Sequence, residues 1–291
     1  MLASPAVRVA TASSTLVPRG SWRLRLSDGA VGAAILTLLL AGALAGPFFG
    51  TGPSAQHLTL PLAAPGTSGH WCGTDSLGRD LCARIFVGLR VSVLVSAAAA
   101  AIALLLGVTL GLVSGYYGGR TETVIMRLVD VQLAVPFVLL TLLVVAVLGA
   151  GIRNLILVLG ITGWVTYARV ARGETLAVRE REYVNAARAS GANDLRIVAR
   201  HVLPNIGSTL LVVLTIDLAR FVLLEGTMSF LGFGVQPPTP SLGALLNEGL
   251  NSIALAWWPV TLPGLALALL ILGINLWGDW LADRMSVSTA T

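Results

Sequence analysis

Residues 179–205 read REREYVNAARASGANDLRIVARHVLPN, an arginine-rich polar stretch within a chain that is otherwise strongly apolar. If the stretch is helical, its apolar side chains form one narrow stripe, made of Val184, Ala187, Ala192, Leu195 and Val198. Gly191 interrupts the pattern, and because glycine reaches positive φ without a Cβ penalty we expect a tight turn there. Pro204 is expected to end the second helix, since proline cannot continue a helix interior. The stretch therefore predicts two short helices set at an angle and facing water.

The composition of the whole chain indicates a polytopic membrane protein. Of its 291 residues, 55% are hydrophobic and only 11% are charged. Six apolar stretches approach or exceed the length of about 20 residues that a membrane-spanning helix needs. They lie at about 29–50, 89–116, 124–149, 154–171, 206–230 and 257–281. The sequence therefore predicts an all-α membrane protein with six transmembrane helices and no separate soluble domain.

The arginines orient these six spans. All 19 basic residues are arginine, and with a cytoplasmic N-terminus 14 of them lie inside, four lie outside and Arg220 lies within a span. Both termini are then cytoplasmic. We expect an N-terminal tail at 1–28 and a permease domain at 29–285, with external segments at 51–88 and 231–256 and a cytoplasmic loop at 172–205 between the fourth and fifth spans. The basic loops face anionic lipid, so no nucleic-acid partner is expected.

The residues that are missing exclude several kinds of enzyme. A phosphate-binding P-loop requires lysine, and the chain has none, so we expect no ATPase site by that route and no lysine Schiff base. No HExxH, GxSxG or paired-cysteine motif occurs, and the three histidines at 57, 70 and 201 are scattered. We therefore expect neither a catalytic residue nor a cofactor bound by this chain.

The polar stretch resembles the cytoplasmic "EAA" loop of binding-protein-dependent ABC transporter permeases. That pattern is Glu-Ala-Ala, three residues, Gly, nine residues, Ile, one residue and Leu-Pro, and it is matched by Ala186, Ala187, Gly191, Leu203 and Pro204. Two positions depart from it, because Asn185 stands where the family often has Glu and His201 where it often has Ile. The resemblance implies that the loop docks into a cleft on an ATPase subunit. The residues it assigns to coupling are Glu182, Asn185, Ala186, Ala187, Gly191, Leu203 and Pro204. The alternative is an amphipathic helix lying on lipid headgroups.

A second motif, HWCGTDSLGRDLCARIFVGLRVS at 70–92, resembles a signature of the dipeptide, oligopeptide and nickel branch of these permeases. The matching residues are His70, Gly73, Thr74, Asp75, Gly78, Arg79 and Asp80. Physically, Asp75 can start a turn through Gly78, and Arg79 can pair with a nearby carboxylate to hold an external cap. A metal site would instead use His70, Cys72, Asp75 and Asp80. Cys72 and Cys82, the only cysteines, are either disulfide-bonded, as an external location permits, or free.

Two further stretches, at 126–136 and 225–243, extend the same resemblance. In the second, the prolines and glycines forbid a regular helix, so we expect irregular backbone at the outer rim of a pathway. The candidate rim or pathway residues are Glu225, Gly232, Gly234, Pro237 and Pro238. Asp217 and Arg220 lie three residues apart on one helix face, where they either pair with each other or contact substrate. Glu225 is either structural or a partner for a peptide's amino group.

The resemblance implies one permease subunit of an ATP-driven ABC importer, forming half of a pathway for di- and oligopeptides across the bacterial plasma (inner) membrane. The implied partners are a second permease subunit, ATP-binding subunits that carry ATP and Mg, and an extracytoplasmic substrate-binding protein. Nickel uptake and an ion-coupled secondary transporter remain as alternatives. A separate expectation concerns residues 16–21, LVPRGS, which match a thrombin site used in recombinant proteins.

Overall fold

The computed structural model describes residues 21–46, 52–67 and 69–288, and of residues 21–27, 45 and 286–288 it describes the backbone alone. The expected engineered string at 16–21 lies outside the described residues, apart from the backbone of its last residue.

The described chain is helical and contains no β-strand, which confirms the predicted all-α class. The first five helices are α1 (Ser21–Ala45), α2 (Leu81–Tyr117), α3 (Gly119–Leu133), α4 (Phe137–Leu148) and α5 (Ile152–Arg179). The next five are α6 (Glu182–Ala189), α7 (Asp194–Ile197), α8 (Leu203–Phe230), α9 (Leu242–Leu250) and α10 (Trp258–Ser288), with a π-helical turn at Val198–Val202 between α7 and α8.

Four helices of the described chain are long and apolar enough to cross a membrane, namely Leu81–Tyr117, Ile152–Arg179, Asp194–Phe230 and Trp258–Met285. The predicted third span at 124–149 is not one straight helix, because α3 and α4 meet at 89°. Pro136 lies at the break and disfavours helical backbone at the residue before it. If this bent pair is counted as one span, the described chain has five candidate spans. The apolar part of α1, Asp28–Leu44, is shorter than these helices.

The central packing joins α2 to α5 through small residues. Gly107 and Gly111 are four residues apart on α2, and an added Cβ would lie 2.4 Å from the Trp164 carbonyl oxygen and 2.6 Å from that of Ala168, respectively. The two backbones therefore approach each other closely, as is typical where small residues are four apart in membrane helices. Around this contact lies an apolar core that includes Tyr167.

Pro204 does not end the helix that precedes it, contrary to the sequence-based prediction. The chain continues as one candidate span, Asp194–Phe230. The Leu203 N–H donates to the Val198 carbonyl five residues earlier, and Pro204 follows in the first turn of α8. The wider π-helical turn lets the chain enter α8 with proline at a position where a missing N–H is tolerated.

The stretch at 225–243, predicted to be irregular, is irregular only in its middle, because residues 225–230 are the end of α8 and residues 242–243 begin α9. Residues 231–241 form turns and bends, as predicted, whereas α9 follows them. Ser241 begins this helix by accepting a hydrogen bond at Oγ from the Ala244 N–H. Leu242 and Leu245 of α9 are buried in a second apolar core with Leu270 of α10.

Candidate functional site

The polar loop folds as two helices joined by a glycine turn. Gly191 has φ of +81°, which confirms the predicted turn. The Gly191 N–H donates to the Arg188 carbonyl at 3.0 Å, and the Ala192 N–H donates to the Ala187 carbonyl at 3.1 Å. This pair of bonds is the Schellman arrangement that closes a helix C-terminus. Asn193 then starts α7 by accepting at Oδ1 from the Arg196 N–H at 2.9 Å.

One face of the loop packs on the chain's own core. Val184 is fully buried, Ala187 and Ala192 are partly buried, and Ile197 is fully buried beside them. The predicted apolar stripe is therefore wrong at Leu195, which is 77% exposed. The reason is that the turn at Gly191 separates two helices. Side chains that would share one face of a continuous helix therefore point in different directions before and after the turn.

The opposite face is open and carries the remaining coupling residues. Glu182, Asn185 and Ala186 are exposed, and so are Tyr183 and Leu195. Four exposed arginines share this part of the chain, at positions 181, 188, 196 and 200.

Leu203 and Pro204 belong to a different surface. They line an open apolar groove between α2 and α8, together with Leu104 and Val108 of α2. The structure therefore places the seven predicted coupling residues in three settings: the open face of α6, its packed face with the turn, and this groove.

The loop is also bound to the C-terminal end of α2. Tyr116 Oη donates to Asp194 Oδ1 at 2.8 Å, and the Arg188 guanidinium lies 5.9 Å from the centre of the Tyr116 ring. Arg179 Nη1 donates to the carbonyls of Gly115 and Tyr116 at 2.9 and 3.3 Å. Sequence reasoning missed these contacts, because 78 residues separate Tyr116 from Asp194 and no local pattern relates them.

The motif at 70–92 folds as predicted into a turn held by ion pairs. The Gly78 N–H donates to the Asp75 carbonyl at 3.0 Å, and the Leu77 N–H donates to Asp75 Oδ1 at 2.9 Å. Arg79 contacts Asp75 Oδ2 at 2.6 Å and Glu248 Oε2 at 2.7 Å. The predicted pairing of Arg79 with a carboxylate is thus confirmed, and Glu248 ties the external segment to α9.

Arg84 is a site residue that sequence reasoning did not single out. Its side chain is only 2% exposed and lies 2.5 Å from Asp75 Oδ2 and 2.7 Å from Glu248 Oε2. Two arginines and two carboxylates thus form one charge network, which we call the cap network: Asp75, Arg79, Arg84 and Glu248. An arginine in the first turn of a long apolar helix was the available signal, because a charge there must find a partner.

The metal-site alternative at the external motif is not supported. Cys72 and Cys82 are joined in a disulfide with their Cα atoms 5.2 Å apart. His70 Nδ1 lies 2.6 Å from Asp80 Oδ2, and Asp75 is bound in the cap network. Among the described residues, no three histidine, cysteine or carboxylate side chains are grouped so that they could hold a metal ion.

The candidate rim residues do not share one surface. Gly232, Pro237 and Pro238 are exposed, whereas Glu225 is fully buried and Gly234 is buried. Glu225 Oε1 accepts a hydrogen bond from Ser229 Oγ at 2.7 Å, and Ser229 Oγ accepts one from the Val235 N–H at 3.1 Å. Glu225 is therefore bound, through Ser229, to the rim segment from inside the chain.

Asp217 and Arg220 form the predicted ion pair, with Arg220 Nη1 3.2 Å from Asp217 Oδ1. The Arg220 guanidinium also lies 4.9 Å from the centre of the Phe137 ring on α4. Asp217 is buried, whereas the Arg220 side chain keeps 40% of its surface exposed. The pair thus links α8 to α4 with its carboxylate on the inside.

Residues 107–287 match the family described as binding-protein-dependent transport system inner membrane component. Similar proteins include the glutathione transport system permease protein of Pectobacterium atrosepticum, 39% identical over 75% of this chain and 73% of its own length. The oligopeptide transport system permease protein of Bacillus subtilis is 34% identical over 88% of this chain and 84% of its own. The di/tripeptide transport system permease protein of Pseudomonas aeruginosa is 39% identical over 89% of this chain and 88% of its own.

Solved structures agree at the level of the fold. A chain of an inward-facing methionine ABC transporter superposes with a TM-score of 0.55 at 18% identity, covering 68% of this chain and 94% of that one. A chain of an amino acid ABC transporter gives 0.52 at 15% identity, covering 69% and 94%. The match of residues 107–287 and the identity to these relatives show that the chain belongs to the family of binding-protein-dependent transport system inner membrane components.

Proposed function

We propose that this permease subunit forms, with a second permease subunit, the pathway of an ATP-driven importer for di- and oligopeptides. The observation that carries the substrate class is the set of relatives named above, whose names refer to oligopeptides, to di- and tripeptides and to glutathione, itself a short peptide. These names favour peptides over nickel. Membership in this family also excludes the alternative of an ion-coupled secondary transporter.

The proposed topology has six spans with both termini in the cytoplasm. The spans are α1, α2, the bent pair α3 and α4, α5, the continuous helix Asp194–Phe230, and α10. This order puts the polar loop between the fourth and fifth spans, on the same side as both termini. The distribution of arginines supports that orientation, because the loop and the segment at 120–127 are then cytoplasmic.

ATP and Mg are bound by partner subunits in this proposal, and the open face of α6 and α7 docks on them. Tyr183, Ala186 and Leu195 supply exposed apolar side chains there, and four exposed arginines lie in the same loop. Such a surface fits a cleft with an apolar floor and an acidic margin. Asn185 cannot supply the charge of the family glutamate, so docking relies more on apolar contact here than in relatives that carry it.

The outer end of the subunit meets the substrate-binding protein in this proposal. The cap network and the disulfide hold the external segment on α2 and α9. The exposed residues Gly232, Pro237 and Pro238 then form part of the outer rim of the pathway, with Glu225 fixing the rim from behind. A peptide released by the binding protein would enter beside this rim.

The docking surface is tested by Leu195→Glu, with Leu58→Glu as the matched control. Leu58 is 72% exposed, nearly as much as Leu195, but lies in the external segment. Burying a leucine contributes about 1.5–3 kcal/mol, so the Leu195 variant should lose at least about tenfold in recovery of ATPase subunits. Recovery is measured by quantitative mass spectrometry of the purified complex. Equal recovery with both variants, or recovery of no ATPase subunit with the unaltered chain, would contradict the proposal.

A further inference from the structure

Tyr116 lies where α2 meets the polar loop. It is in the last turn of α2, it is buried, and its hydroxyl donates to Asp194, the first residue of α7, at 2.8 Å. A hydrogen bond between a phenol and a carboxylate is stronger than a neutral one. The Arg188 guanidinium above the Tyr116 ring brings α6 to the same residue. Both helices of the loop therefore touch one side chain of α2.

Arg179 provides a second tie at the same turn. Its guanidinium donates to the carbonyls of Gly115 and Tyr116, which lie at the C-terminal end of α2. The last carbonyls of a helix have no partner within the helix, and a cation beside them is favoured by the helix dipole. Arg179 ends α5, so the chain is held on α2 both where it enters the loop and where α7 begins.

The other end of α2 lies in the external cap. The helix has 37 residues, which corresponds to a length of about 55 Å. Asp80 caps its first turn by accepting at Oδ1 from the Ala83 N–H at 2.9 Å, and Arg84 enters the cap network with Asp75 and Glu248. α2 therefore joins the polar loop directly to the external segment and to α9.

We propose that the hydrogen bond between Tyr116 and Asp194 is the link through which the polar loop moves α2, so that displacement of the loop by the ATPase subunits reaches the external cap. This inference rests on the proposed function, and it assigns Tyr116 and Asp194 as positioning residues for transport. Loss of the bond weakens the hold of the loop on α2, although the contacts from Arg179 and Arg188 remain: ATP hydrolysis continues, while fewer substrate molecules cross the membrane for each ATP consumed.

The test measures uptake and ATP hydrolysis in the same proteoliposomes containing the complete transporter. The probe is a defined mixture of di- to pentapeptides, quantified inside the vesicles by mass spectrometry. Tyr116→Phe removes the hydroxyl and keeps the ring beneath Arg188. We expect its ratio of peptide imported to ATP hydrolysed to fall about tenfold, which corresponds to about 1.4 kcal/mol of lost coupling. ATPase subunits should still copurify in full.

Tyr117→Phe is the matched control, because Tyr117 is the next residue and is 60% exposed. Its ratio should equal that of the unaltered transporter. Asp194→Asn keeps an oxygen that can accept from Tyr116 and should retain most of the coupling, whereas Asp194→Ala should match Tyr116→Phe. The double variant Tyr116→Phe with Asp194→Ala should be no worse than either single change, because both remove the same bond.

Three results would overturn the inference: an unchanged ratio in Tyr116→Phe, an equal loss in Tyr117→Phe, or loss of ATPase subunits from the Tyr116→Phe complex. The last result would mean that Tyr116 shapes the docking surface instead of transmitting its motion. Failure of the unaltered transporter to import any peptide with ATP would be a different outcome, and it would refute the proposed function together with this inference.

Discussion

Substitution of Gly191 tests the polar loop directly, because the energetic cost of a larger side chain at the turn can be separated into two parts. A Cβ at this position would meet nothing within 4 Å, so a larger side chain causes no clash with the rest of the fold. The remaining cost comes from the backbone, because φ is +81° and an L-residue with a Cβ adopts this conformation at a cost of about 1–2 kcal/mol. The cost is greatest for β-branched residues. Gly191→Val should therefore shift the equilibrium against the turn by up to about 30-fold.

That shift should appear in the ATPase contact and not in membrane insertion. The turn sets the angle between α6 and α7, and the Schellman bonds from Gly191 and Ala192 depend on it. We expect Gly191→Val to insert normally, to recover fewer ATPase subunits and to lose ATP-dependent uptake. Gly191→Asn should be mild, since asparagine tolerates left-handed backbone, and Gly191→Ala should lie between the two.

Gly173→Val serves as the control. Gly173 lies near the C-terminal end of α5, a Cβ there would also meet nothing within 4 Å, and its backbone is helical. Its replacement changes side-chain volume without opposing φ. If Gly191→Val and Gly173→Val gave the same ATPase recovery and the same uptake, the turn would have no specific part in docking.

Three other features should respond to substitution in predictable ways. For the Asp217 and Arg220 pair, Arg220→Gln should lower the yield of assembled complex more than Asp217→Asn does, because it leaves a buried carboxylate unpaired at a cost of about 3–5 kcal/mol. The double variant should recover part of that yield. Arg84→Gln should lower the thermal unfolding temperature of the purified subunit, since it leaves two carboxylates with one arginine. For Cys72 and Cys82, alkylation without reductant should add no mass to the intact protein, whereas alkylation after reduction should add two groups.

Each of these has an outcome that would contradict it. Equal and additive losses in the two single variants at 217 and 220 would show that the residues do not interact. Arg90→Gln is the control for Arg84→Gln, because Arg90 lies further along α2 and is exposed. Equal shifts of the unfolding temperature in the two variants would show that the cap network is not the cause. Two alkyl groups added without reductant would show free thiols.

Local features were predictable from the sequence where one short segment determines them. The turn at Gly191 follows from a glycine between two helical patterns, and the turn at Asp75 follows from an aspartate three residues before Gly78. The all-α class follows from apolar stretches whose length suits membrane-spanning helices. The pair of Asp217 with Arg220 follows from a three-residue spacing within one span, because two charges so close in lipid satisfy each other.

Features that depend on contacts between distant segments were not predictable. Arg84 and Glu248 are separated by 164 residues, and only the packing of α9 against α2 brings them together. The sequence pattern predicts Leu195 on the packed face, because it does not show the change of helical phase at the Gly191 turn. Pro204 predicts a helix end, because the π-helical turn that accommodates it has no recognisable sequence pattern.

The central claim is that ATP hydrolysis by partner subunits drives peptide import through this chain. The most direct measurement is uptake of the di- to pentapeptide mixture into proteoliposomes that hold the purified permease subunits, with the ATPase subunits and the substrate-binding protein added. We predict uptake only when ATP, the ATPase subunits and the binding protein are all present, and no loss of uptake when ionophores collapse proton and sodium gradients. Uptake that proceeds without ATP, or that collapses with those gradients, would contradict the claim.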